Sequence, residues 1–166
     1  MPTTTTIESA RLADQLERSF RGGAWHGPSL TEAIAGIELE IASRRPLPNA
    51  HTILELVGHV AYWLAESRRR LPGAENTEPA AGADWEPPSG SPADAWRAAV
   101  AALEDAHRRL HAAVLALDDE SLDAATTGSD STCRGTLLGL LQHNAYHAGQ
   151  VVLLRKFSEP GAGGGR

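Results

Sequence analysis

Residues 140–150 read Leu-Leu-Gln-His-Asn-Ala-Tyr-His-Ala-Gly-Gln, and their spacing decides the fold. Followed outward, Thr136, Leu140, His143, His147, Gln150 and Leu154 recur in alternating steps of four and three. That is the period of a helix lying along a bundle seam. Ser131 or Thr132 is placed to cap this helix, which is expected to run to about Phe157. A second seam of the same kind lies upstream: Trp96, Val100, Leu103, His107, Leu110, Val114 and Leu117. Ser91-Pro92-Ala93-Asp94 opens it, with Ser as N-cap and Pro at the first helical position.

Two more long helices precede these. Thr52 to Leu71 carries Ile53, Val57, Val60 and Leu64 on one stripe, with His59 and Trp63 beside Leu56 on the next; Pro72-Gly73 stops it. Ile7 to about Arg21 carries Leu12, Leu16 and Phe20 and ends at Gly22-Gly23. A short helix that Ser29 can cap is expected from Leu30 to about Leu39, before Pro46 and Pro48 break the pattern. Four long helices without strand alternation or internal repeat predict an all-α four-helix bundle. The long connections leave the order of the helices open. The domain is expected over 7–157, between a disordered stretch 1–6 and a flexible Gly-rich tail 158–166. The aperiodic 72–90 segment is a long loop expected to shape a pocket, and Trp85 inside it suggests that part of it packs.

The chain has 166 residues, enough for one core, and a net charge of -6 that argues against nucleic-acid binding. Its one basic run, Arg68-Arg69-Arg70, falls in the last turn of a helix, where it answers the macrodipole. A single cysteine excludes an internal disulfide and fits a reducing compartment. Met1 to Thr6 has no apolar signal core, and no run of about 18 apolar residues offers a membrane span. The expected compartment is the cytoplasm.

His143 and His147 project from one helix face, with Cβ atoms roughly 5–6 Å apart. Polar nitrogens on an inward seam need partners. A divalent metal ion is one answer, with His59 as third ligand and a position left open, the layout of catalytic rather than structural zinc sites. Buried hydrogen-bonded histidines are the other. The pattern is not that of a zinc peptidase, because Asn144 stands where the catalytic Glu belongs. His107 and His111 share the same spacing, but His111 falls beside its seam and Arg108 and Arg109 lie between them, so they read as core and flanking residues. Glu104-x-x-His107 is half of a di-iron motif whose other half is missing. His51 lies about 12 Å before His59 along the axis and reads as a helix-start residue. Cys133, at a helix start that should lower its pKa, lies about 15 Å from His143 and is not a ligand candidate. Two catalytic candidates remain. Glu55, one turn before His59, either orients a ligand or acts as a base, or it caps its helix. His26, beside Trp25, is placed to reach the mouth of the bundle.

Three segments, Ala-Trp-His-Gly-Pro-Ser-Leu (24–30), Glu-Leu-Val-Gly-His-Val-Ala-Tyr-Trp (55–63) and Gln-His-Asn-Ala-Tyr-His-Ala-Gly-Gln (142–150), resemble the DinB/YfiT superfamily. The resemblance spans about 7–157. It implies a four-helix bundle, often a homodimer, with a metal site at His59, His143 and His147 that takes zinc, nickel or another divalent ion. The superfamily takes its name from DNA-damage induction, not DNA binding. Some relatives are thiol-dependent S-transferases or isomerases that use low-molecular-weight thiols such as bacillithiol or mycothiol. The resemblance therefore implies a metal-dependent transferase or hydrolase acting on a small-molecule substrate. The alternative is a non-catalytic, stress-associated dimeric bundle that binds metal.

Overall fold

The computed structural model describes residues 7–74, 80–86, 90–126 and 130–158. Helices form at α1 (Ile7–Arg21), α2 (Leu30–Ile34), α3 (Leu39–Ala42), α4 (Ile53–Arg69), α5 (Pro92–Leu115), α6 (Asp119–Asp123) and α7 (Cys133–Ser158), with a 3-10 turn at Ala83–Trp85. Among the described residues there is no strand, only an isolated antiparallel bridge between Ala125 and Thr132. The fold is all-α. Its four long helices form a ring in which α1 and α4 each pack on both α5 and α7, leaving α1/α4 and α5/α7 as the diagonals.

The starts of the helices follow from side-chain caps. Thr52 accepts from the Glu55 amide while the Glu55 carboxylate accepts from the Thr52 amide, a reciprocal box that opens α4. Ser91 caps α5 with Pro92 at its first turn, and Thr132 Oγ1 accepts from the Gly135 amide at the start of α7. The single short helix expected after Ser29 is two. The box of Ser29 and Glu32 starts α2, but Gly36 at φ +69° turns the chain, and α3 restarts at Leu39. The α6 turn, capped by Asp118, was not apparent from periodicity because it is only five residues long.

The core holds the expected stripes of α1 and α4 and the middle of the α5 seam: Leu12, Leu16 and Phe20; Ile53, Val57, Val60 and Leu64; Leu103, His107, Leu110 and Val114 are all buried, whereas Trp96, Val100 and Leu117 of that seam are only partly so. A fully buried Leu such as Leu16 contributes about 1.5–3 kcal/mol relative to exposure. On α7 the core face is rotated slightly from the expected seam. Leu137, Leu140, Asn144, His147, Val151 and Leu154 are buried, whereas Thr136, His143 and Gln150 lie half-buried at its edge. His143 thus reaches both the interior and the α4–α7 groove. Ser158 closes α7, and its carbonyl accepts from Arg44 Nη1 at 2.6 Å. The expected disordered N-terminus 1–6, the tail from 159, and 75–79 and 87–89 of the long loop lie outside the described residues.

Candidate metal centre

The α4 register that buries Leu56 and Val60 also turns His59 toward α7, where His143 and His147 stack one turn apart. The Nε2 atom of His143 lies 3.1 Å from Nε2 of His59 and 3.1 Å from Nε2 of His147. The three side chains each offer one nitrogen to a common point, all within 4.8 Å of one another. Nitrogens around a tetrahedral zinc at about 2.0–2.1 Å stand about 3.3 Å apart, so the spacing suits one small divalent ion.

The far sides of two rings are fixed. His59 Nδ1 donates to the backbone carbonyl of Asp84 at 3.0 Å, with the Asp84 carboxylate at 3.5 Å. His147 Nδ1 donates to Gln150 Oε1 at 2.6 Å. Both partners are acceptors, so both neutral rings carry the proton on Nδ1 and turn an Nε2 lone pair toward His143. A neutral His143 can donate its Nε2 proton along one of these directions, not both, and its own Nδ1 is buried without a hydrogen bond of normal geometry. Protonation does not relieve the conflict. Burial pushes the His143 imidazole down to about 4, and His147 and His59 add to the shift. Burial likewise holds His59 and His147 below the ordinary value, against the opposing pull of Asp84 and Gln150. Three neutral nitrogens with convergent lone pairs are a donor set that fits a cation.

The loop expected to shape the pocket lends Ala83, Asp84, Trp85 and Glu86 to the wall of a concavity beside His59. Trp85 is sandwiched between the His59 ring, at 3.9 Å, and the His51 ring, at 3.6 Å. Beyond starting its helix, His51 therefore clamps the loop that carries Asp84. Sequence reasoning missed Asp84 as an orienting residue because a backbone carbonyl leaves no signal. Gln150 was on the seam but was not singled out, although its i+3 spacing from His147 marks it.

Two concavities adjoin the triad. One of about 610 Å³ lies in the α4–α5 groove over small residues such as Gly58, Ala61, Ala99 and Ala102, and touches His59 alone of the three. The other, about 250 Å³, lies in the α4–α7 groove and has His143 in its wall.

The structure does not bring the remaining candidates to the three rings. The Glu55 carboxylate serves the α4 cap and pairs with Arg45 at 2.7 Å; against the opposing effect of burial, the Thr52 amide and then Arg45 hold it below its ordinary value. His26 is exposed in the turn after α1 and makes no hydrogen bond, ion pair or ring contact with the triad. His107 stacks on Phe20 at 3.8 Å and donates to Glu17 at 2.8 Å, a core role. Glu104 pairs with Arg21 rather than with a metal site. At Cys133 the expected lowering of the thiol is reversed: the side chain is fully buried, and desolvation pushes it up.

No helix among the described residues is long and apolar enough to cross a membrane. Comparison with curated proteins and with solved structures finds no match. Comparison with family models finds one, the DinB superfamily, over residues 24–151. That span contains His59, His143, His147 and the loop that orients His59, and the chain belongs to the DinB superfamily.

Proposed function

We propose that this protein is a metal-dependent enzyme whose ligands are His59, His143 and His147, and that it activates a low-molecular-weight thiol for transfer to a small electrophile. The observation that carries the reading is the convergence of three neutral Nε2 atoms whose rings are held from behind by Asp84 and Gln150. A divalent ion held by these residues, zinc or nickel as the family resemblance implies, would supply Lewis acidity that lowers the pKa of a bound thiol or water. The residues around it bind and orient. Among the described residues the one carboxylate in contact with the triad, Asp84, stands behind His59 on its Nδ1 side. A thiol, acidic enough to ionise without a dedicated base, suits that arrangement better than water. The α4–α7 groove is the approach to His143.

A second copy of the chain is the proposed partner. Residues 135–154 contain no Asp, Glu, Lys or Arg. Their outward face presents Leu138, Tyr146 and Leu153, continued by Phe157, each at least 44% exposed. At Gly149 a side chain would meet nothing within 4 Å, so two such faces can approach closely about a two-fold axis.

The test is elemental analysis of protein purified without a His tag, followed by a screen of thiols such as mycothiol and bacillithiol against electrophiles. About one divalent ion per chain, lost in His143→Ala, together with thiol consumption is expected. Normal uptake by His143→Ala removes the ligand assignment. Metal without turnover favours the non-catalytic bundle.

A further inference from the structure

We propose that the 250 Å³ cavity beside His143 binds a small carboxylate, anchored end-on by Arg70. This rests on the reading of the triad as the working site and names the substrate class that the site takes.

The cavity has a distinct chemistry at each wall. Trp63 supplies a flat apolar side, and Ser67 on α4 and Thr136 on α7 supply hydroxyls. His143 stands at one end and Arg70 at the other; no carboxylate lines it. The guanidinium carbon of Arg70 lies over the Trp63 ring at 5.6 Å, and the centroids of the Trp63 and His143 rings are 6.3 Å apart. The cation and the triad therefore face one space.

Arg70 is held, but not used up. Its Nε donates to Glu66 Oε1 at 2.8 Å, and the other oxygen of Glu66 is taken by Arg69. Glu66 is 1% exposed, and this one buried carboxylate is shared by two guanidinium groups. The Nε edge of Arg70 is fixed, while its two Nη groups have no protein partner among the described residues. That pair is the fork that grips a carboxylate with two parallel hydrogen bonds. Answering the helix macrodipole does not require a guanidinium oriented in this way. The volume holds on the order of eight waters at roughly 30 Å³ each, which suits a small organic acid. At Gly139 a Cβ would meet nothing within 4 Å, so the mouth is open at that point.

The experiment uses calorimetry of the full chain, metal-loaded and after chelation, with benzoate and its neutral isostere benzamide. Benzoate is expected to bind roughly ten- to a hundredfold more tightly than benzamide in both forms, the range for charge-assisted hydrogen bonds. Arg70→Gln should erase that preference with metal content unchanged, since Glu66 keeps Arg69 as its partner. Gly139→Phe, whose Cβ would meet nothing within 4 Å, should weaken both ligands by crowding the mouth. A preference that survives Arg70→Gln, undiminished binding in Gly139→Phe, or displacement of benzoate by an equal concentration of inorganic phosphate would each overturn the assignment. The two readings separate cleanly. An Arg70-dependent preference without metal uptake removes the metal reading alone, and normal metal uptake without the preference removes this one alone.

Discussion

Metal-free protein should lose stability steeply in mild acid, and His143 should account for a large part of the loss. Its imidazole is held at about 4 in the folded chain, against 6.5 for an unperturbed group. The folded state therefore disfavours the proton, the unfolded state binds it more readily, and stability rises with pH across this window. The contribution is complete above about pH 6.5 and drains away as pH falls toward 4. Integrated from neutral pH to pH 5, the two pKa values give a loss of about 2 kcal/mol from His143 alone. With a urea slope near 2 kcal/mol/M, that moves the midpoint down by about 1 M. His59, His147 and His107 shift in the same direction, so the wild-type loss is larger than this. The assay is urea unfolding of chelator-treated wild type and His143→Gln at pH 7.5 and pH 5. The variant should show the smaller acid shift by about 1 M. Equal shifts in the two proteins would refute the claim that burial and its histidine neighbours hold His143 neutral.

Gln150→Leu removes the acceptor behind His147 and should weaken metal binding roughly ten- to a hundredfold, read by competition with a chromogenic chelator; unchanged affinity would show that His147 needs no orienting partner. Trp85→Ala removes a stack on both His59 and His51, worth about 0.5–1.5 kcal/mol, and should lower metal affinity several-fold while the circular dichroism stays helical. Two glycines should respond with opposite sign. Gly58, in the exposed interior of α4 with open space at its Cβ, should gain about 0.5–1 kcal/mol on change to Ala, whereas Gly36, at φ +69°, should lose about 1–2 kcal/mol. Thermal melts that move both the same way would contradict the assigned backbone.

The long helices were legible because period and caps agreed. Ser91-Pro92 and Pro72-Gly73 mark ends that the structure honours, and the stripes of α1 and α4 and the middle of the α5 stripe are its core. The histidine cluster was legible for a related reason: an i,i+4 pair on an inward seam leaves few other places for its nitrogens. What stayed hidden depends on atoms that sequence does not display. Asp84 acts on His59 through its backbone carbonyl, and no residue type announces that. Cys133 sits at a helix start, where the dipole favours the thiolate, yet full burial outweighs it, and burial at one position is set by tertiary packing. Glu55 had two readings, and Thr52 three residues before it was the signal for the cap; a carboxylate given to a capping box and to Arg45 is not free to serve as a base.

The arrangement of the site explains why its residues oppose stability. Crowding three buried imidazoles so that one Nε2 lies 3.1 Å from two others leaves lone pairs facing one another, and no neutral tautomer satisfies them all. A protein selected for stability alone would replace one of the rings with an apolar side chain. Instead two of the rings are locked in the unfavourable orientation from behind, by a carbonyl from a loop that Trp85 clamps and by an amide one turn along α7. Effort spent on holding lone pairs together makes sense where a cation completes the set. A ligand that binds only the folded state stabilises it by about 2.7 kcal/mol at a hundred times its Kd, enough to offset the loss worked out for His143 in acid. The same logic reaches Arg70. Glu66 is divided between Arg69 and Arg70, and the Nη edge of Arg70 is left to the groove beside the triad, where the proposed carboxylate would meet it.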